Sequence, residues 1–363
     1  MSTPQRAGFL AIELDGAGHR NLAAAVLAAE SAGFHVATFK DAPEAGRTNA
    51  LQRAAFAGPV TRTIAVVPEV DTVYTEPFHI STQLASLDYV SGGRAGWIVT
   101  AAHSPEAAAA VGRSLVSGEA LAQEAAASIE VGRRLWDSWE DDAVIRDVAT
   151  GRYIDVDKLH YADFETTADF AGPAYSVKGP SIIPRPLQGQ LPVLAASSLV
   201  GDGLVSAHAV DAVLVSAPTP ELLAAEVRDV RARLGTSVAI IAELDVVLDS
   251  RGQAAASRVV NSAEAGTAAD AGRPRFVGSA GDLTEFLDPL LREADGVRLH
   301  PADVDVELGE LARLVLPELR RRGSLRAPVQ DGTFRDVLGL GRPVSRYSTS
   351  SAATAVGALG AGN

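Results

Sequence analysis

The stretch ASLDYVSGGRAGWIVTAA (residues 85–102) contains the end of a predicted helix, a glycine turn and the start of a new strand. Gly92 and Gly93 predict the turn, because glycine readily adopts the left-handed conformation that ends many helices. The apolar run 95–101 that follows is typical of a buried strand. Helix and strand are thus joined by very few residues, and polar Thr100 and His103 come at the end of the strand.

The same alternation of strand and helix extends over most of the chain. Short apolar runs predict eight strands, at 8–15, 35–41, 62–69, 95–101, 191–197, 211–217, 237–247 and 295–300. Segments of helical period lie between or after them, at 20–32, 47–57, 79–89, 118–136, 199–208, 219–234, 281–293 and 304–322. Near-continuous apolar strands that alternate with helices indicate a parallel sheet covered on both faces. Eight such units predict an α/β protein of the (β/α)8 TIM-barrel class, with a doubly wound open sheet as the alternative.

The domain organisation predicted from this pattern is a single (β/α)8 barrel domain over residues 1–343. Its main insertion, 137–190, lies between strands four and five, where Gly, Pro and alternating apolar residues indicate a hairpin and an irregular loop. The polar, small residues of 248–280 predict a mobile connection after strand seven. The low-complexity segment 344–363 predicts a flexible C-terminal tail.

Composition excludes several classes of function. The 363 residues include 45 acidic and 32 basic side chains, a formal net charge of −13, and no basic stripe that would bind nucleic acid. The absence of cysteine excludes disulfides, thiolate metal sites and cysteine nucleophiles. None of the seven histidines has another two to four residues away, so no metal site is expected. No apolar run reaches the ~18 residues of a membrane span, and a signal-peptide pattern is missing, so a soluble cytoplasmic protein is expected.

Polar residues gather where the predicted strands end, which is where a barrel places its active site. The segment SSLVGDG (197–203) is one example, since a strand ends there in two serines and leads through glycine into a helix. Such a segment suits a phosphate, or it is an ordinary serine cap, and the residues alone favour neither. The polar residues at strand ends are Asp15, Asp41, Glu69, Asp71, Thr100, His103, Ser197, Ser198, Ser216, Glu243, Asp245 and His300.

Five longer motifs resemble those of the bacterial-luciferase-like flavin monooxygenases. The first, EPFHISTQLASLDYVSGGRAGW (76–97), contains the opening stretch. The others follow in the order expected for that family, and the branch they resemble contains nitrilotriacetate, dibenzothiophene-sulfone and long-chain alkane monooxygenases. They are LWDSWEDDA (135–143), DKLHYADFE (157–165), YSVKGPSIIPRPLQGQLPV (175–193) and VLPELRRRGSLRAPVQDGTFRDVLGLGRP (315–343).

The resemblance implies a barrel that binds FMN at the C-terminal ends of its strands. A separate flavin reductase would supply the reduced FMN, which reacts with O2 so that a small organic substrate is oxygenated. The resemblance also implies a homodimer or higher oligomer formed through barrel helices, and it places His19 near the mouth of the pocket. It implies catalytic roles for His103 and His79, and cofactor contacts from Asp41, Thr100, Ser197, Ser198 and the amides of Val200 and Gly201.

Three positions depart from the family pattern. Ile98 stands where the family often has an asparagine that bonds the flavin, and Leu121 and Ala122 stand where an Arg-Tyr pair helps to hold the phosphate. These departures leave two alternatives open beside the FMN-dependent monooxygenase. One is a flavin-free barrel that serves as a partner subunit or binding protein, and the other is a deazaflavin-dependent oxidoreductase.

Overall fold

The computed structural model describes residues 7–15, 22–41, 48–201, 205–264 and 272–348. In these ranges the strands are β1 (Phe9–Glu13), β2 (Val36–Phe39), β3 (Ala65–Asp71), β4 (Trp97–Thr100), β5 (Val144–Asp147), β6 (Arg152–Ile154), β7 (Phe164–Glu165), β8 (Ser176–Val177), β9 (Val193–Ala196), β10 (Ala212–Val215), β11 (Ala239–Leu248), β12 (Arg275–Gly278) and β13 (Gly296–Pro301). The helices are α1 (Leu22–Ala32), α2 (Ala50–Val60), α3 (Pro77–Ser91), α4 (Pro105–Ala110), α5 (Glu119–Asp137), α6 (Ser197–Gly201), α7 (Pro220–Leu234), α8 (Ala255–Glu264), α9 (Ala280–Glu293), α10 (Val304–Glu310), α11 (Leu316–Arg321) and α12 (Phe334–Leu338).

Eight parallel strands form a closed ring. Around the ring the order is β1, β2, β3, β4, β9, β10, β11 and β13, and β13 pairs again with β1. The prediction of a (β/α)8 barrel is therefore confirmed, and the open-sheet alternative is wrong because no edge is left between β10 and β11. All eight predicted strands are present, and they are the eight that close the ring.

The glycine turn of the opening stretch ends α3 in the predicted way. Gly92 caps the helix with φ 69°, and its amide donates to the carbonyls of Asp88 and Tyr89. Arg94 follows within the turn and is buried, where its guanidinium donates to the carbonyls of Gly58 and Thr61 at 3.0 and 2.8 Å. Gly92 thus binds carbonyl groups at the end of α3, and Arg94 binds carbonyl groups at the end of α2. Because the turn caps both helices, the chain can enter β4 within a few residues.

Helix α12 closes the N-terminal end of the barrel. Phe334 at its start is completely buried, and it packs with inward-facing residues of the strands such as Phe9 and Val67. A side chain at Gly96, just before β4, would place its Cβ 2.4 Å from the Phe334 ring, so only glycine fits there. The lower half of the barrel is therefore a filled apolar core, and an open pocket can form only at the other end.

The insertion and the segment after β11 carry the main irregularities. Two antiparallel hairpins, β5–β6 and β7–β8, lie between α5 and β9, where a hairpin and a loop were expected. Residues 248–280 differ from the mobile connection expected there, because they contain α8 and β12. Strand β12 pairs only with the C-terminal half of β11, which extends beyond the ring. His19, and residues 349–363 of the expected tail, lie outside the described residues.

None of the helices in the described ranges has both the length and the apolar composition that crossing a bilayer requires.

Replacement of Phe334 by alanine is expected to lower the free energy of unfolding by about 3–5 kcal/mol, because it opens a cavity in the barrel core. Chemical denaturation followed by circular dichroism measures the change. Val148→Ala is the control, since Val148 is 94% exposed and its truncation should have little effect. Equal stability of the two variants would show that α12 does not close the core.

Candidate active site at the barrel mouth

Charged residues replace apolar ones in the upper half of the barrel. Alternate residues of a strand face the barrel interior, so Glu13 continues the inward-facing row that begins with Phe9 and Ala11. On β13 the same alternation turns Arg298 and His300 inward. All three charged residues are buried, with 7%, 2% and 7% of their surfaces exposed. The barrel interior therefore changes from apolar to charged along its axis.

Arg298 lies at the centre of this charged layer and binds three carboxylates. Its Nη2 is 2.7 Å from Oε2 of Glu13 and 2.6 Å from Oε1 of Glu69, and its Nη1 is 3.1 Å from Oε1 of Glu243. Its Nε donates to Thr38 Oγ1 at 2.9 Å. One guanidinium thus joins β1, β2, β3 and β11 to β13 across the interior.

His300 bridges two of the same carboxylates. Its Nδ1 is 3.0 Å from Oε2 of Glu13, and its Nε2 is 3.2 Å from Oε1 of Glu243. Ser216 donates to the other oxygen of Glu243 at 3.1 Å. Each ring nitrogen thus faces a carboxylate oxygen, which accepts a hydrogen bond when the carboxyl is ionised. Arg298, His300, Glu13, Glu69 and Glu243 are called the mouth cluster below.

The three glutamates differ in acidity. Burial acts to raise the pKa of Glu13, but Arg298 and then His300 outweigh it and lower that pKa to about 2. Against the same effect of burial, His300 and Arg298 lower the pKa of Glu243 to about 2. For Glu69, burial outweighs the attraction of Arg298, and its pKa is raised above the usual value of 4.5. The carboxylates also raise the pKa of Arg298, against its own burial.

The sequence prediction included Glu69, Glu243 and His300 among the strand-end residues but missed Glu13 and Arg298. Both lie inside runs that were interpreted as apolar strands. One signal in the sequence could have identified Arg298. It precedes the polar residue His300 by two positions, and residues two apart on a strand face the same side, so both were candidates for the barrel interior.

Thr100 and His103 lie at the end of β4, as expected. Thr100 is paired in register with Asp71 of β3, and its carbonyl accepts hydrogen bonds from the amide and hydroxyl of Thr72. Nδ1 of the exposed His103 is 2.9 Å from the carbonyl of Val116. Burial is the main cause that raises the pKa of Asp71, with a smaller contribution from the nearby charge of Asp41. Asp41, Asp71 and Thr100 thus belong to one part of the mouth.

His79 occupies a different position. It lies exposed in the first turn of α3, and its Nε2 is 2.8 Å from Nε2 of Gln83. Glu76 caps the same turn by accepting from the amides of Phe78 and His79. No hydrogen bond within the described ranges joins His79 to His103 or to the mouth cluster.

Ser197 and Ser198 begin α6, directly after β9. Ser197 is half-buried and Ser198 exposed, and within the described part of the chain neither hydroxyl makes a hydrogen bond. Val200 is buried in the same short helix, whose first amides have no partner inside the helix. Hydroxyl and amide donors are the groups that a phosphate accepts from, so this donor set fits the phosphate of a flavin nucleotide in kind. Leu121 and Ala122 add no polar group to it.

Two other strand-end carboxylates are occupied by structural ion pairs. Asp15 accepts from Arg53 of α2 and from the amide of Lys40. Asp245 pairs with Arg273, and Arg275 lies 3.7 Å away. These contacts tie α2 to β1 and β12 to β11.

A closed parallel barrel with a buried polar layer at its C-terminal end is the architecture of many enzymes, and comparison with known proteins identifies the class. The family profile described as luciferase-like monooxygenase matches residues 6–303. The chain belongs to the luciferase-like monooxygenase family.

Individual relatives agree with this assignment. N-acetyl-S-(2-succino)cysteine monooxygenase of Bacillus subtilis (strain 168) is 39% identical over 145 residues, which cover 40% of this chain and 31% of that protein. Nitrilotriacetate monooxygenase component A of Aminobacter aminovorans is 26% identical, covering 80% of this chain and 79% of that protein. A solved structure of riboflavin lyase with modified FMN and riboflavin has TM-score 0.77 and 20% identity over 94% of this chain and 98% of that chain.

The family predicted from the sequence motifs is thereby confirmed, including the branch that contains nitrilotriacetate monooxygenase. An oxygen-incorporating oxidoreductase was predicted, and the family and its named relatives confirm that class. The deazaflavin alternative is the weaker interpretation. The match to the Bacillus relative spans less than a third of that protein, so its substrate is not transferred to this chain.

Replacement of Arg298 by methionine is expected to reverse the dependence of stability on pH. In the wild type, ionised Glu13 and Glu243 stabilise the fold above pH 4.5, because their pKa values are lowered from 4.5 to about 2. This contribution to the free energy of unfolding is lost as the pH falls from 4.5 towards 2. Without the guanidinium, the buried carboxylates favour their protonated forms, so the variant should gain stability as pH falls below neutral.

At neutral pH the same variant should lose about 3–5 kcal/mol, because buried charges lose their partner. Urea unfolding between pH 4 and 8 (roughly the range over which a carboxyl with a raised pKa titrates) measures both effects. The control is Arg228→Met, which removes an exposed pair with Glu293 and should cost less than about 1 kcal/mol. A pH dependence parallel to that of the wild type would contradict the expectation.

Proposed function

We propose that this protein is a flavin-dependent monooxygenase that uses reduced FMN and O2 to oxygenate a small organic substrate. The observation that carries the proposal is the family match over residues 6–303 together with a buried polar layer at the C-terminal end of the barrel. A neighbouring structure with this fold was solved with modified FMN, and this supports FMN as the cofactor. When bound, the flavin supplies the two-electron chemistry with O2 that side chains lack.

The proposed flavin site lies between β9 and the mouth cluster. Ser197 and Ser198 hold the phosphate with their hydroxyls, together with the amides of Val200 and Gly201. Asp41 and Thr100 contact the rest of the cofactor. The support for this assignment is that both serine hydroxyls lack partners within the described ranges, at a helix start that follows a barrel strand.

His103 and His79 are the proposed proton-transfer groups. The carbonyl of Val116 accepts from Nδ1 of His103 when that nitrogen carries the proton, which leaves Nε2 as the basic nitrogen of the neutral ring. Gln83 occupies Nε2 of His79 and leaves Nδ1 available. Each histidine thus has one fixed nitrogen and one that can exchange a proton with a bound substrate.

A cavity next to His103 is the proposed site for the organic substrate. Its volume is about 530 Å³, which is within the usual range for small-molecule pockets. Its polar groups come from the loop after β3, the α4–α5 link, α5 and the residue before β8, and they belong to Tyr74, Arg113, Glu124 and Tyr175. The hydroxyl of Tyr74 accepts from the amide of Val116, whose carbonyl contacts His103, so the cavity wall is continuous with the proposed catalytic loop.

Two partners complete the proposal. A separate flavin reductase delivers reduced FMN, since the sequence contains no dinucleotide-binding fingerprint. A second copy of the chain pairs through α2 and α3, where Phe56, Val60 and Val90 are 51%, 41% and 49% exposed. Phe56 and Val60 are one turn apart on α2, which packs against α3 where Gly58 approaches Ser91, so two neighbouring helices carry exposed apolar side chains.

The double variant Ser197→Ala with Ser198→Ala is expected to weaken FMN binding, because each lost hydrogen bond to the phosphate contributes roughly 1.5–3 kcal/mol. Quenching of FMN fluorescence measures the dissociation constant. Ser237→Ala is the control, because Ser237 is exposed at the opposite end of the barrel. An unchanged constant in the double variant would place the phosphate elsewhere, and no binding by the wild type would favour the flavin-free alternative.

Replacement of Val90 by arginine is expected to convert the proposed dimer to a monomer, because it places a charge in an apolar interface. Light scattering coupled to gel filtration measures the molar mass. Leu222→Arg on α7 is the control, since Leu222 is exposed to a similar extent at 52% and lies on a helix outside the proposed interface. A wild-type monomer, or a dimer in both variants, would contradict the assignment.

A further inference from the structure

The mouth cluster contains more negative than positive charge if every carboxyl is ionised. It has three glutamates, whereas Arg298 supplies one positive charge and the imidazole of His300 supplies at most one more. An uncompensated buried charge is costly, so the cluster becomes neutral only when at least one glutamate carries a proton. The contacts distinguish which glutamate that is.

Glu69 has the weakest compensation of the three. Glu13 and Glu243 each contact both Arg298 and His300, and Glu243 also accepts from Ser216. Among the described residues, the one ion pair of Glu69 is with Nη2 of Arg298, which it shares with Glu13. The raised pKa of Glu69 agrees with this difference, since its burial is not offset by its single cation.

The second carboxyl oxygen of Glu69, Oε2, is the atom on which such a proton would be available to a ligand, because Oε1 contacts Arg298. Within the described residues Oε2 makes no hydrogen bond, and 11% of the Glu69 side chain is exposed. In register on the next strand is Ile98, which offers no polar group. The groups that surround Glu69 are Arg298 and His300 from β13, Glu13 from β1, Thr38 from β2, Glu243 from β11, and the charge of Arg53 from α2.

We propose that Glu69 is a neutral carboxylic acid at neutral pH and that its Oε2–H is the hydrogen-bond donor that the barrel mouth presents to a bound flavin. Protonation of Glu69 removes one negative charge from the cluster and keeps the contact between Oε1 and Arg298. The second half of this inference rests on the proposed function, whereas the protonation state does not.

The first experiment compares Glu69→Gln with Glu13→Gln and Glu243→Gln in the full chain. Glutamine resembles a protonated glutamate, so the unfolding constant of Glu69→Gln at pH 7 should stay within about threefold of the wild type. The other two variants break buried ion pairs and should raise that constant by on the order of a hundredfold or more. Destabilisation of Glu69→Gln as large as that of the controls would overturn the proposal.

Infrared spectroscopy at pH 7 (roughly neutral, well above the usual carboxyl pKa) tests the proton directly. The wild type should show the carbonyl band of a protonated carboxyl, and Glu69→Gln should lose it. This comparison needs neither control variant to fold. Absence of the band in the wild type, or a band of unchanged intensity in Glu69→Gln, would show that Glu69 is ionised.

Binding of oxidised FMN tests the donor role. Glu69→Gln keeps a donor and should bind within about threefold of the wild type, whereas Glu69→Leu removes it and should bind about tenfold more weakly. Equal affinity of the leucine variant would overturn the role as donor. If the wild type binds no FMN, the donor role and the proposed function both fail, while the infrared result still decides the protonation state.

Discussion

The buried guanidinium of Arg298 is the interaction on which the upper half of the barrel depends. It approaches Glu13, Glu69 and Glu243 within 3.1 Å, and these residues belong to three different strands. A cation buried so deeply requires partners that offset its lost hydration, and the ionised glutamates require the cation for the same reason. The cluster is therefore interdependent, since the loss of Arg298, Glu13 or Glu243 leaves buried charges without a partner.

Along the barrel axis the requirements of stability and of chemistry are separated. At the N-terminal end, α12 and the lower inward side chains fill the interior with apolar groups, with Phe334 against Gly96. At the other end the inward side chains are polar, and the loops after β3 and β4 enclose a cavity. This division is common to (β/α)8 enzymes, because the strands fix the positions of residues at their C-terminal ends while the loops vary. Here the polar layer also contributes to joining the strands.

Much of the fold could be predicted from the sequence, because each barrel strand is a mainly apolar run and each run is followed by a helical segment. Strand β12 was missed because it lies in a segment of small and polar residues and pairs with an extension of β11 beyond the ring. Of the site, Thr100, Glu69 and His300 could be predicted as residues at strand ends. Glu13 and Arg298 could not be paired in advance, because they are 285 positions apart and their contact depends on closure of the ring.

The departure of Ile98 from the family pattern has a structural counterpart on the neighbouring strand. Ile98 is buried with the inward-facing apolar residues and is paired in register with Glu69. The two positions are adjacent on the inner wall, so a polar group absent from β4 can be supplied by β3 at nearly the same height. An ionised glutamate would repel an anionic ligand, whereas a protonated one can donate a hydrogen bond. In the proposed flavin site, the charge state of Glu69 therefore decides whether this wall of the barrel would repel the cofactor or donate a hydrogen bond to it.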